Sequence, residues 1–218
     1  MSTSKRRSTY HHRDLRAALL REATARVDAG GAEGFSLRET ARSIGVSPGA
    51  AYRHFTDKAE LLAAVIDTEF AELADELAAA RDAVMRDDRH PPGVRAAAIV
   101  LASGQVYVRR AATYPERFRL TLADARMQPG PGEQRVRSLG DDMRAQLVET
   151  GAMHPRMFDS ASWSIVPALH GLACLAADGL VDRAHLDSGV RVMVETVLRG
   201  LGVAEETLIQ MDSLVPEA

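Results

Sequence analysis

The chain has 218 residues and one cysteine, Cys174, which excludes an intrachain disulfide and a zinc site built from cysteines. We recognise no secretory signal and no run of membrane-spanning length, and therefore expect a soluble, cytoplasmic protein. The net charge of -3 indicates no partner class by itself, but residues 1–58 hold 11 Lys and Arg against 6 Asp and Glu, whereas residues 59–218 hold 16 against 24. This uneven charge distribution indicates an anion-binding module joined to a domain with another role; the alternative is chance variation of composition along the chain.

Alanine and leucine richness predicts helix through nearly all of the chain. In the first helix, Leu15, Leu19, Ala23 and Val27 recur at every fourth residue with charged residues between them, which is typical of an amphipathic helix. Residues 1–12, before this helix, are expected to form a basic, flexible arm.

Two short helices are predicted next from their start signals. Ser36 and Glu39 form an S-x-x-E capping box that begins the second helix, and Gly45 ends that helix. Ser47 as N-cap and Pro48 at the first helical position begin the third helix.

A long fourth helix and a second helical domain complete the predicted architecture. Asp57 with Glu60 begins the fourth helix, which runs to about Arg86, and the Pro- and Gly-containing segment 87–93 is interpreted as a linker. The expected fold is all-α, with a helix-turn-helix domain over 13–66 joined by the long helix to a helical domain over 87–218. Helices in that second domain are predicted at roughly 94–112, 115–126, 134–151, 157–179 and 186–201.

The Gly45 turn between two short helices fits a helix-turn-helix, in which the second helix enters the DNA major groove. Pro48, Gly49, Ala50 and Ala51 are small enough to let the backbone of this helix approach base edges and phosphates closely. We therefore expect a DNA-reading surface here.

The triplet Tyr52, Arg53 and His54 supplies polar groups that the alanines lack. A phenol hydroxyl and an imidazole can donate to phosphate, and an arginine can bind phosphate or guanine. The basic side chains of the 1–12 arm either add contacts to DNA or remain solvated.

The stretch LRETARSIGVSPGAAYRHFTDKAELLAAV resembles the DNA-binding signature of TetR-family transcriptional regulators, with its Gly-Val-Ser turn, Tyr-x-His-Phe block and Lys-x-x-Leu. The resemblance covers roughly residues 13–66 and implies a homodimeric repressor that a small, largely apolar ligand releases from a palindromic operator. Many members have Thr where this chain has Ala50, so we expect Arg53 to contribute more of the base readout. The resemblance places Ser36, Ser47, Tyr52, His54 and Lys58 on phosphates, Pro48, Gly49 and Ala50 against bases, and Ala51 and Phe55 in the core.

The stretch SASWSIVPALHGLACLAADG resembles a subset of the family with a Trp and a later His-Gly pair in the C-terminal domain. Trp163, Pro167, His170 and Cys174 fall on one helical face, which either lines a ligand cavity or packs in the core or an interface. Pro167 should kink its helix, and Gly171 permits close helix approach. The ligand-binding candidates are Tyr107, Phe118, Met127, Met143, Trp163, His170 and Cys174.

The last two long helices are expected to form the dimer interface as a four-helix bundle. Their apolar positions are the basis of this expectation. The candidate interface residues are Leu169, Leu172, Val190, Val194, Val197 and Leu201.

An enzyme is not expected, because the seven histidines show no H-x-x-x-H or H-E-x-x-H spacing. We assign no catalytic residue, metal site or cofactor. The remaining alternative is a helical ligand-binding or protein-interaction module that no longer reads a specific DNA sequence. Retention of the polar positions in the motif and the basic N-terminal segment argue against that alternative.

Overall fold

The computed structural model describes residues 4–123 and 129–215, with side chains from Leu15 onward, and contains only helices, turns and loops in those ranges. The all-α class is confirmed. Two 3-10 turns, Pro155–Met157 and Arg183–His185, separate some of the later helices. The ten described α-helices are α1 Ser4–Gly30, α2 Leu37–Ser43, α3 Pro48–Ala51, α4 Lys58–Met85, α5 Pro92–Thr113, α6 Pro115–Leu122, α7 Pro131–Glu149, α8 Phe158–Ala177, α9 Leu186–Gly200 and α10 Glu205–Leu214.

Two compact units divide the chain, and α4 contributes to both. Unit 1 comprises residues 1–69 and 116–127, and unit 2 comprises residues 70–115 and 128–218. The division therefore falls inside α4 and not at the expected linker 87–93, and nearly all of α6 belongs to unit 1. Arg117 on α6 explains the latter difference, because its guanidinium forms ion pairs with Asp28 at 2.6 Å and Glu69 at 3.5 Å, both within unit 1.

The core of unit 1 follows the predicted apolar stripe of α1. Leu19, Ala23 and Val27 are fully buried, and they share the core with Phe55. The helix begins at Ser4, so residues 4–12 of the expected arm are helical, and no Gly or Pro interrupts the sequence before Gly30. The arm side chains lie outside the described residues.

Helix α5 is the central element of unit 2, where it packs against α7, α8, α9 and α10. Gly104 permits this close packing, because a Cβ atom there would lie 2.7 Å from Leu169 Cδ2 and 3.1 Å from Val190 Cγ1. The sequence analysis did not predict α10, which buries Leu208 and Met211. Unit 2 is thus a bundle arranged around one buried helix.

Ion pairs tie α5 to its neighbours within unit 2. The Arg110 guanidinium is buried and pairs with the carboxylates of Glu72 and Glu76 on α4. Arg109 Nε donates to Asp187 Oδ1 on α9 at 2.6 Å. A buried arginine of this kind costs stability if its partners are removed, because its charge would then be uncompensated.

The expectation that no run reaches membrane-spanning length is wrong for one segment. Pro155–Ala177 is long and apolar enough to cross a membrane by length and composition, and a third of its most apolar window is buried. Within unit 2 its helical part, α8, packs against α5, α7 and α9. Core helices of soluble proteins pass the same length and composition test, so the segment is weak evidence for a membrane span.

Candidate functional site

The start of α2 is fixed by the predicted capping box. The Glu39 N–H donates to Ser36 Oγ at 3.2 Å, and the Ser36 N–H donates to Glu39 Oε2 at 2.8 Å. This reciprocal pair satisfies two backbone donors that a helix start leaves open. The capping-box prediction is confirmed.

The turn between α2 and α3 also follows from local chemistry. Gly45 has φ +74°, which is a left-handed conformation that favours glycine, and the Val46 N–H donates to the Ala41 carbonyl at 3.0 Å. Ser47 Oγ accepts from the Ala50 N–H at 3.3 Å, and Pro48 is the first residue of α3. The helix-turn-helix therefore forms where the sequence predicts it.

The triplet follows α3, which has only four residues. Helix α3 ends at Ala51, but helical hydrogen bonds continue, since the Tyr52 N–H donates to Pro48 at 3.0 Å and the His54 N–H donates to Ala51 at 2.9 Å. Tyr52 is 43% exposed and Arg53 is exposed, so both side chains are accessible. The triplet thus forms an accessible helical turn.

Buried residues beneath the triplet hold it in place. Ala51 and Phe55 are in the core, as expected, and the Arg16 guanidinium lies 4.8 Å from the Phe55 ring centroid. Gly49 is exposed, and Pro48 is half-buried. One face of this segment is therefore packed, and its other face presents small and polar residues.

Lys58 begins α4 close to the same region of unit 1. Its ammonium donates to the Glu33 carbonyl at 3.3 Å and lies 5.2 Å from the Phe35 ring centroid. Nearby, a hydrogen bond from the Thr56 N–H lowers the pKa of Glu60. The Glu60 N–H donates to Asp57 Oδ1 at 2.9 Å, which confirms Asp57 as the cap of α4.

Two arginines that the sequence analysis did not single out are also exposed in unit 1. Arg38 and Arg42 lie one turn apart on α2, whereas Leu37 and Ala41 on the same helix are buried. In the sequence, an apolar residue followed by an arginine occurs twice at a spacing of four residues, and this repeat would have identified both arginines as lying on the exposed face. They add positive charge to the exposed side of the helix-turn-helix.

Unit 2 contains a mostly apolar cavity of about 180 Å³. Helices α4, α5, α7 and α8 contribute its walls, and ten of the fourteen described lining residues are apolar or glycine. The lining residues are Phe70, Leu73, Leu77, Arg81, Ile99, Ser103, Tyr107, Val136, Leu139, Gly140, Met143, Gln146, Val166 and Leu169.

Tyr107 is a polar group on this wall, and His170 holds it. The Tyr107 hydroxyl is 2.8 Å from His170 Nδ1, and the two rings are stacked with centroids 6.3 Å apart. Burial raises the pKa of Tyr107 well above its ordinary value, and the nearby Cys174 acts in the same direction. Tyr107 therefore remains a neutral hydroxyl over the physiological pH range.

The predicted ligand-binding residues divide into distinct groups. Tyr107 and Met143 line the cavity. His170 is not a lining residue, but it forms a hydrogen bond with Tyr107. Phe118 is buried in unit 1, which makes its assignment to a ligand cavity in unit 2 wrong. Met127 lies outside the described residues. Cys174 is half-buried and is not among the lining residues.

Trp163 is the clearest correction to the sequence analysis. Its side chain is 84% exposed on α8, so it neither lines the cavity nor packs in the core of this chain. Exposed tryptophan is costly in water and is enriched in protein interfaces.

Polar cavity residues that the sequence analysis missed are Arg81, Ser103 and Gln146. Ser103 lies one turn before Tyr107 on α5, and this spacing was its signal.

Most of the predicted interface residues are core residues of unit 2. Leu169, Val190, Val194 and Leu201 are buried within the chain, so assigning them to a dimer interface is wrong. Leu172 and Val197 are half-buried. Exposed apolar or small residues of α8 and α9 include Trp163, Val166, Pro167, Gly171, Leu175 and Val192.

A helix-turn-helix whose second helix is followed by an exposed turn with a basic residue is typical of a class of DNA-binding proteins. In this chain the motif is combined with a cavity in a separate helical unit. Within the described part of the chain, His, Cys, Asp and Glu side chains form no group of three that could hold a metal ion.

The comparisons with known proteins agree with this class. Residues 19–65 match the model for bacterial regulatory proteins of the tetR family. A solved structure of a protein with unknown function from Rhodococcus sp. RHA1 is 30% identical, with a TM-score of 0.69, over 86% of this chain and 95% of that chain. The comparison with curated proteins found no match.

Two further solved structures share the fold at lower identity. RolR in complex with resorcinol is 21% identical, with a TM-score of 0.59, over 96% of this chain and 98% of that chain. A TetR family transcription regulator from Marinobacter aquaeolei VT8 is 20% identical, with a TM-score of 0.60, over 85% and 97%. The helix-turn-helix domain therefore belongs to the tetR family of bacterial regulatory proteins, and the whole chain has the fold of a TetR family transcription regulator.

Proposed function

We propose that this protein is a cytoplasmic, homodimeric repressor that leaves a palindromic operator when a small molecule occupies the unit 2 cavity. The observation that carries the proposal is the presence in one chain of an exposed, capped helix-turn-helix and a separate apolar cavity. A ligand shifts such an equilibrium only through different affinities for the DNA-bound and released states. Cavity occupancy must therefore disfavour the DNA-bound form.

The proposed DNA contacts divide into positioning and reading groups. Exposure of Tyr52 and Arg53 supports direct contact with DNA. Because a two-fold dimer presents two copies of α3, the half-sites should lie about 34 to 36 Å apart, or a multiple of that distance. Proposed phosphate contacts are Ser36, Ser47, Tyr52, His54 and Lys58, and proposed base contacts are Pro48, Gly49, Ala50 and Arg53.

The proposed dimer uses the outward faces of α8 and α9. Leu175 and Val192 are exposed apolar residues on these helices, and the exposed Gly171 has open space where a Cβ atom would be. A second copy of the chain would remove this surface from water and accommodate close helix approach. Trp163, at one edge of the α8 face, would then be covered by the partner or remain at the rim.

The proposed ligand is small and largely apolar because the cavity wall is largely apolar. The complex of RolR with resorcinol, a structure with the same fold, supports an aromatic ligand of this size. Tyr107 is the proposed polar contact, with His170 as its positioning partner. Met143 is a proposed apolar contact.

The test of this function is fluorescence anisotropy of the full chain on DNA from upstream of its own gene, with a scrambled duplex as control, at two salt concentrations. Nonspecific phosphate attraction is lost as salt rises, whereas specific recognition persists. A preference of about a thousandfold or more at physiological salt is the expected result.

If the protein binds both duplexes equally and this binding is lost as salt rises, the next experiment is to select binding sequences from a random duplex pool. Recovery of a palindromic sequence from the pool would place the operator elsewhere in the genome. Failure to recover any sequence would favour the alternative, a ligand-binding or protein-interaction module that no longer reads specific DNA.

A further inference from the structure

The size of the unit 2 cavity limits what it can hold. Its volume is about 180 Å³. An apolar protein cavity of about 150 Å³ binds benzene. The cavity therefore accommodates one six-membered ring with one or two small substituents.

The charge on the cavity wall disfavours an anionic ligand. Among the described lining residues Arg81 alone is charged, and its Nε and Nη2 both donate to Asp82 Oδ1, at 3.0 Å and 2.8 Å. A ligand carboxylate would either compete with Asp82 for Arg81 or lie uncompensated among apolar side chains. Neither position favours a charged molecule over a neutral one of the same shape.

Neutral polar groups on the same wall indicate what the ligand carries. Ser103 and Gln146 line the cavity, and both residues are half-buried. Tyr107 lies one turn after Ser103 on α5, so two hydroxyl groups occupy one face of that helix. A hydroxyl and a primary amide each donate and accept hydrogen bonds, so both match a hydroxyl or carbonyl group.

We infer that the cavity binds an uncharged, single-ring molecule bearing a hydroxyl or carbonyl group, which Ser103 and Gln146 contact directly. The inference rests on the proposed ligand-responsive function and specifies the chemistry of its ligand. Tyr107 completes the polar side of the site, and Met143 and Leu73 are among the residues that contact the ring. A polar group left unpaired in an apolar site is costly, so a ligand without such a group should bind less tightly.

Three probes of similar shape test the inference by calorimetric titration of the full chain: benzyl alcohol, toluene and benzoate. Benzyl alcohol should bind about threefold to tenfold more tightly than toluene, which corresponds to one net hydrogen bond. It should bind at least about tenfold more tightly than benzoate. Binding of benzoate as tightly as benzyl alcohol would overturn the inference, and so would the absence of binding by all three probes.

Variants locate the polar contacts. Ser103→Ala and Gln146→Leu should each reduce the ratio of benzyl alcohol affinity to toluene affinity, and the double variant should bring it close to one. Gln134→Leu is the matched control, because Gln134 is exposed on the same helix as Gln146 and does not line the cavity. The ratio is measured within one variant, so a general loss of stability does not alter it. An unchanged ratio in the double variant would overturn the assignment.

A filling substitution and a DNA assay separate this inference from the proposed function. Val136→Phe should weaken all three probes together, because it occupies the cavity that they share. Probe binding with the expected order but without DNA release would support the ligand chemistry and contradict the proposed release. Release by benzoate in preference to benzyl alcohol would support the function and overturn the ligand chemistry.

Discussion

The two units build their sites in opposite ways. The candidate DNA-binding residues of unit 1 lie within the single stretch 36–58. Capping hydrogen bonds between side chains and the backbone of residues close in sequence position them. The cavity residues of unit 2 extend from Phe70 to Leu169 and come from four helices. A site made by local hydrogen bonds is visible in a sequence, whereas a site made by helix packing is visible only once the helices are in place.

The chemistry of the two sites is reversed as well. In unit 1 polar side chains such as Tyr52 and Arg53 are exposed above a packed core that includes Phe55. In unit 2 the polar groups of Ser103 and Tyr107 lie on the wall of a cavity that is otherwise apolar. The first arrangement suits a polyanion in water, and the second suits a small molecule removed from water.

The strongest test of this comparison is Phe55→Ala, which should remove DNA binding and leave ligand binding intact. Loss of a fully buried phenylalanine costs about 3 to 5 kcal/mol, which is most of the stability of a small helical unit. Calorimetric unfolding should show the transition of unit 1 shifted to lower temperature, while benzyl alcohol binding remains. If both activities disappear together, the units do not unfold independently and the comparison fails.

The second test distinguishes the outward face of α9 from other exposed apolar surface in unit 2. Val192→Glu should weaken the free energy of dimerisation by about 3 kcal/mol and so dissociate the dimer, because it places an unpaired charge in the proposed interface. Ile209→Glu on α10 is the matched control, since the two side chains are 65% and 66% exposed. Light scattering across a concentration series gives the oligomeric state. Dissociation by Ile209→Glu alone would move the interface to α10.

The sequence predicted most of unit 1 because its signals are local. Ser36 with Glu39 and Ser47 with Pro48 mark helix starts through side chains a few residues away from the groups that they cap. Helix α10 was missed for the same reason, since Ala204 at its N-cap offers no side-chain hydrogen bond. A helix stabilised by burial of Leu208 lacks such a start signal.

Helical periodicity identified apolar faces but not what covers them. Val190 and Val194 recur on one face of α9, and that face is buried in the same chain. The sequence pattern is identical for a face covered by a second copy, which is why these residues were assigned to the interface. Phe118 shows the same limit, because its apolar character predicts burial but not the unit in which it is buried.

A third prediction concerns the role of Arg53 within unit 1. Arg53→Ala should cost about 1 to 3 kcal/mol of operator affinity if the guanidinium contacts a base. The loss would then be concentrated at one operator base pair, which a set of single-base operator variants reveals by anisotropy. A loss of equal size on every variant would instead make Arg53 a phosphate contact.

The smallest expected effect is that of Tyr52→Phe, which removes one hydroxyl and keeps the ring. Loss of a single phosphate hydrogen bond should weaken operator binding by about 1 to 2 kcal/mol with little change in base preference, because phosphate contacts position a protein and do not specify sequence. Tyr114→Phe in unit 2 is the matched control and should leave operator affinity unchanged.

The salt dependence of binding provides an independent readout for Tyr52. A neutral hydroxyl releases no counterion, so the slope of log affinity against log salt should be the same for Tyr52→Phe as for the wild type. Lys58→Gln, which removes a charge from the same region of unit 1, should reduce that slope by about one. If Tyr52→Phe changed base preference, its hydroxyl would belong with the reading groups, beside Arg53 in the turn that follows α3.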